Sequence, residues 1–144
     1  MKISTRGRYG LRLLLDLAEH SEENHVSLGE IAERQHISAR YLEQVAVLLR
    51  RAGYIRSVKG ASGGYALTRD PGGIIIGDVL RVLEGDMLLV DDLRPGETET
   101  KIQKCIRTVV YNRLNQQISD VVDRISLSSL IGSKDCEDAY MYYI

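Results

Sequence analysis

The sequence predicts a mainly α (α+β) fold, and three observations predict it. Two short helical segments are joined by a tight turn at His36-Ile37, a glycine-rich hairpin follows over residues 54–67, and an apolar repeat of threes and fours runs from about Thr100 to Arg124. Two short helices behind a longer one, then a hairpin, is the order of a winged helix-turn-helix unit. The late repeat adds a long helix whose apolar stripe needs a partner. The division that follows is a first domain over residues 1–84 and a long helix with a C-terminal tail over residues 85–144.

Each element has its own local reason. The first helix is expected from near Ser4 or Thr5 to about His20, with Tyr9, Leu11, Leu14, Leu15 and Ala18 at helical spacing. Ser27 and Glu30 fit a capping box, in which hydroxyl and carboxylate reciprocally satisfy orphan amides, so a second helix is expected over residues 28–35. Ser38 can cap a third, whose Leu42, Val45, Leu48 and Leu49 run until Gly53 offers a left-handed end. Tyr54 to Val58, the turn Lys59 to Gly64 and Tyr65 to Leu67 read as strand, turn and strand. Pro71-Gly72-Gly73 punctuates the chain, and a fourth helix runs from Ile76 to Leu83 before Glu84-Gly85 stops it.

Composition narrows the function classes. The formal net charge of −1 is spread unevenly: residues 1–70 hold 11 Lys and Arg against 8 Asp and Glu, and residues 71–144 hold 8 against 12. The basic half is the candidate face for a polyanion, although the bias is mild. No run of about 18 apolar residues or basic-then-apolar leader occurs, because Arg12 and Asp16 interrupt the first apolar stretch, so a cytoplasmic protein without membrane contact is expected. No nucleophile elbow, catalytic carboxylate pair with histidine, or cofactor fingerprint is present, and an enzyme is not expected. His20, His25 and His36 show no metal-site spacing, and no metal is expected.

In a helix-turn-helix the second short helix enters the major groove with its early residues. Here those are Ser38, Arg40, Glu43 and Gln44, where a cation, a carboxylate and an amide match guanine, cytosine and adenine respectively. The same face also fits a solvated helix surface held by pairs three and four apart. The hairpin shifts the balance, because Lys59 at a glycine-rich tip has little to do for the fold. Gly60, Gly63 and Gly64 would allow positive φ and close approach to phosphate, with Arg56 and Lys59 adding charge. Arg6 and Arg8, beside Gly7, could meet phosphate at the N-terminus of the first helix.

Four separated stretches, Ser4 to Gly10, Ile37 to Gln44, Gly60 to Tyr65 and Gly77-Asp78-Val79, resemble the signature segments of the Rrf2 family of transcription regulators. The resemblance covers nearly the whole chain. It implies a homodimer that binds a partly palindromic double-stranded DNA operator, with the long helix packed against its twin. It also implies recognition residues at Ser38, Arg40, Tyr41, Glu43 and Gln44, with Lys59 at the wing tip, although Tyr41 and Leu42 could equally be core.

Cluster-binding members of that family carry three cysteines before or at the start of the long helix, often with a histidine. This chain has only Cys105 there, and Thr108 stands where the histidine would be, so no cofactor and no conventional [2Fe–2S] site is expected. Cys105 reads as a small buried hydrophobe on the dimer helix or as a redox switch, and Cys136 as a more exposed redox candidate. The terminal Tyr140-Met141-Tyr142-Tyr143-Ile144 resembles the end of the family's cysteine-metabolism repressors. That implies repression of cysteine and sulfur genes, with cysteine synthase docking on the tail through Tyr142, Tyr143 and Ile144. The tail could instead pack on its own dimer. The competing function is a cluster- or redox-sensing regulator of the same family with atypical ligands.

Overall fold

The computed structural model describes residues 1–20 and 24–132. Helix α1 (Thr5–Glu19) is followed by α2 (Leu28–Gln35) and α3 (Ala39–Arg51), then by strands β1 (Ile55–Val58) and β2 (Gly64–Leu67) and helix α4 (Ile76–Glu84). The capping box forms as its residues dictate: Glu30 N–H donates to Ser27 Oγ (3.2 Å) and Ser27 N–H to Glu30 Oε2 (3.0 Å). α2 ends at His36, which adopts the left-handed conformation (φ 54°), and the chain re-enters a helix at Ser38, whose Oγ accepts from Tyr41 N–H (3.1 Å). These two caps set the sharp corner between α2 and α3.

The core follows from the stripes. Leu13 and Leu14 of α1, Ile31 of α2, Leu42 and Leu49 of α3 and Leu80 of α4 are fully buried together. β1 and β2 pair antiparallel, with Ile55 opposite Leu67 and Val58 opposite Gly64. The hairpin is tied at two places to the helices it serves. Val26, just before α2, exchanges both backbone hydrogen bonds with Tyr65 (2.9 and 2.8 Å). At its other root, Thr68 N–H donates to Tyr54 O (3.1 Å) and Thr68 Oγ1 to Gly53 O.

The long helix departs from the sequence expectation of one unbroken α-helix. It comprises α5 (Lys101–Ile106), a π-helical turn (Arg107–Tyr111) and α6 (Asn112–Val122). A π turn adds a residue to one turn, which the repeat of threes and fours tolerates without a visible break. No residue of this helix is buried, and Ile102 and Val109 are 73% and 53% exposed. Cys105 is exposed as well in the single chain.

After α6 the chain returns to the first unit. Ile76 N–H donates to Ile125 O (2.8 Å), Leu127 N–H to Ile74 O (2.8 Å), and Leu127 is fully buried. Arg81 of α4 grips Asp123 with two hydrogen bonds (2.7 and 2.9 Å), which lower the carboxyl of Asp123 and raise the guanidinium of Arg81. Among the described residues no helix is long and apolar enough to cross a membrane.

Candidate nucleic-acid interface

The exposed face of α3 is set by what its other face buries. Leu42, Val45, Ala46 and Leu49 turn into the core, so Arg40, Glu43 and Gln44 must turn outward, and all three are exposed. Ser38 is exposed at the cap. Tyr41 is half-buried, its ring edge-on to Tyr9 of α1 at 5.2 Å between centroids, and Arg12 lies over the Tyr9 ring at 5.3 Å. That stack makes Tyr41 the link between the starts of α1 and α3, while Leu42 is wholly core.

The hairpin meets this face. Glu43 and Val47 of α3 and Ser57, Val58, Gly63 and Gly64 of the hairpin line one open groove. Lys59 is exposed at the turn beside it. Of the three wing glycines only Gly60 takes a positive φ (134°). Gly63 and Gly64 are glycine for a different reason than approach to phosphate. A Cβ on Gly63 would lie 2.4 Å from Val58 O, and one on Gly64 would lie 2.2 Å from Val26 O. Their open space is filled by the protein's own backbone. Arg56 is exposed but belongs to another recess, which it lines with His20, His25 and Arg69.

Arg6 and Arg8 are exposed on the first turn of α1. The helix N-terminus beside them is already occupied, which corrects its reading as an open anion site. Glu84 Oε1 accepts from Ser4 N–H (2.9 Å), Ser4 Oγ–H (2.6 Å) and Gly7 N–H (3.0 Å). Any contact to phosphate there rests on the two guanidinium groups.

Behind the interface sits a charge that the sequence reading passed over. Asp16 is 1% exposed, and it receives Arg34 Nε (3.1 Å), Arg34 Nη2 (2.8 Å) and Gln35 Nε2 (3.0 Å), with His20 Nδ1 at 3.5 Å. Burial alone would raise its carboxyl, but the bonds from Arg34 and Gln35 and the charges of Arg34 and His20 outweigh burial and hold it below its ordinary value. The pair pins α2 to α1. Its signal in the sequence is a charged residue inside an apolar stripe, between Leu14 and Leu17.

Cys105 lies on α5, and Cys136, Tyr142, Tyr143 and Ile144 fall outside the described residues. Among the described residues no three His, Cys, Asp or Glu side chains gather as a metal-binding group.

Comparison with known proteins places this arrangement. Residues 3–133 match the Rrf2 family, described as iron-dependent transcriptional regulator. The chain is 39% identical over 145 residues to the HTH-type transcriptional regulator CymR of Bacillus subtilis (strain 168), with 100% of each covered. The solved structure of that protein, described as the global cysteine regulator of B. subtilis, is similar with a TM-score of 0.77 at 38% identity, covering 90% of this chain and 95% of that one. The structure of T. potens IscR gives a TM-score of 0.75 at 41% identity, covering 99% and 97%.

Proposed function

The chain belongs to the Rrf2 family of DNA-binding transcriptional regulators, and from that premise we propose that it is a cytoplasmic homodimeric repressor of cysteine and sulfur metabolism genes. The observation that carries the reading is the common face of α3 and the wing: Arg40, Glu43 and Gln44 stand exposed beside the groove that Gly63 and Gly64 close. A helix of that kind fits a major groove, where Arg40 reads guanine, Gln44 adenine and Glu43 cytosine. Lys59 then reaches backbone phosphate or the adjacent minor groove, and Ser38, Arg6 and Arg8 add sequence-independent contacts.

Dimerisation is supported by the bare apolar side of the long helix, where Ile102, Val109, Val110 and Leu114 are exposed. The cysteine assignment is supported by full-length similarity to CymR, and an iron-sulfur cluster does not fit the donor set. Such clusters take four protein ligands, most often cysteine thiolates. The chain has two cysteines in all, with none between Asp86 and Lys104. The signal then arrives through a partner, cysteine synthase docking on the tail, or through thiol chemistry. The second of these is favoured by the exposure of Cys105.

The test is binding to the chain's own upstream promoter DNA across a salt series, with and without cysteine synthase and after oxidation. Specific binding should weaken by about 1–3 kcal/mol in Arg40→Ala, and Lys59→Ala should lower the salt slope by about 1. Undiminished specific binding in both variants rejects the interface. A response to the enzyme separates the partner route from the thiol route.

A further inference from the structure

We propose that Glu84 is a positioning residue for DNA binding, its carboxylate holding the first turn of α1 so that Arg6 and Arg8 face phosphate. The inference rests on the reading of Arg6 and Arg8 as phosphate contacts. It goes beyond that reading by naming what holds them.

Helix α1 has no cap of its own. Its first turn carries no acidic residue, and the Ser4 side chain accepts no hydrogen bond from the helix amides. Ser4 instead donates, through both N–H and Oγ–H, to an oxygen 80 residues away, and Gly7 N–H donates to the same atom. A helix N-terminus favours a carboxylate through its orphan donors and its dipole. Here the last turn of α4 supplies one.

The seat is tight. A Cβ on Gly7 would lie 2.2 Å from Glu84 Oε1, so only glycine lets the carboxylate in. One turn further along, a Cβ on Gly10 would lie 2.3 Å from Leu83 Cδ1, so the end of α4 meets α1 closely at Gly10 as well as at Gly7. α4 is fixed in turn by Arg81 on Asp123 at the end of the long helix. The exposed Arg6 and Arg8 flank Gly7 on the turn that Glu84 clamps, and Arg8 Nη2 donates to Thr5 Oγ1 (3.2 Å) of the same turn.

The charge of Glu84 gives the test its sign. Simple electrostatics says that removing a carboxylate near phosphate-facing cations tightens DNA binding. Positioning says the reverse. Glu84→Ala, Glu84→Gln, Gly7→Ala and the double variant Arg6→Ala/Arg8→Ala are titrated with operator DNA over a salt series, and each variant's fold is checked by circular dichroism. Glu84→Ala should weaken binding at low salt about ten-fold and flatten the salt slope by about 1–2, the signature of one or two lost phosphate contacts.

Glu84→Gln keeps an oxygen that can accept from Ser4 and Gly7, so it should retain the wild-type slope. Gly7→Ala improves helix propensity yet evicts Glu84, and it should copy the Glu84→Ala loss even if that variant folds poorly. A merely structural role would lower the active fraction at every salt concentration and leave the slope unchanged. Wild-type or tighter binding by Glu84→Ala and Gly7→Ala, beside a weakened Arg6→Ala/Arg8→Ala, overturns the inference. An unchanged slope in Arg6→Ala/Arg8→Ala overturns the phosphate reading itself, and the inference with it.

Discussion

Helices α1 and α3 and the long helix over residues 101–122 carry the same kind of apolar stripe, yet they end in opposite circumstances. Leu13, Leu14, Leu42 and Leu49 are fully buried by their neighbours in the chain. In the long helix Ile102, Val109, Leu114 and Val121 remain 46% to 73% exposed, and only on its other side do Ile118 and Val122 pack on the core. An apolar stripe states which face must be covered; it is silent on whether the cover comes from the same chain. The difference teaches that the first unit covers its own stripes, while the long helix leaves one of its sides bare in the single chain.

Three substitutions sharpen or break that contrast. Leu14→Ala removes a fully buried side chain and should cost about 2–5 kcal/mol in denaturant unfolding, whatever the protein concentration. A cost under about 1 kcal/mol would mean that the winged unit is not the self-sufficient half. Val109→Asp with Leu114→Asp places charges on the open stripe and should yield a monomer in sedimentation. For the proposed dimer, operator affinity should then fall on the order of a hundred-fold, because two linked half-site contacts would become one. A monomeric wild type with equal affinity would refute the contrast from the other side.

The smallest effect concerns Asp16. Its carboxyl is held below its ordinary value of 3.8 in the folded chain, so its stabilising contribution is complete above that value and is lost as pH falls through the lower, folded-state value. Asp16→Asn should lose about 1 kcal/mol near neutral pH, and the gap to wild type should close in acid below about pH 4. A gap independent of pH would assign the loss to shape rather than charge.

What was legible in the sequence was local. Ser27 with Glu30, Ser38 with Tyr41 N–H, and Gly53 at φ 85° are signals written within a few residues of the structure they cause. The two strands likewise follow from the run on either side of the glycine turn. The less legible features join distant positions. Glu84 reads as the residue before a stop, and nothing near it announces that its oxygen belongs to Ser4 and Gly7. Gly63 and Gly64 signalled close approach but not to what, and the approaching group proved to be the chain's own carbonyls. The return of Leu127 into the core lies beyond any periodic pattern, since one residue in a short irregular segment has no period.

The stitching of the hairpin to Val26 on one side and to Gly53 and Tyr54 on the other has a mechanical consequence. A wing fastened at both roots has its base held against the helices, so its spacing from α3 is set by those bonds. When such a gauge closes on duplex DNA, misfit in groove width is taken up by the softer body. Flexible pyrimidine–purine steps beneath the span would yield cheaply, and a stiff A-tract would resist. If wing and α3 grip duplex DNA together as proposed, part of the selectivity would lie in how readily the operator bends, at base pairs that no side chain touches.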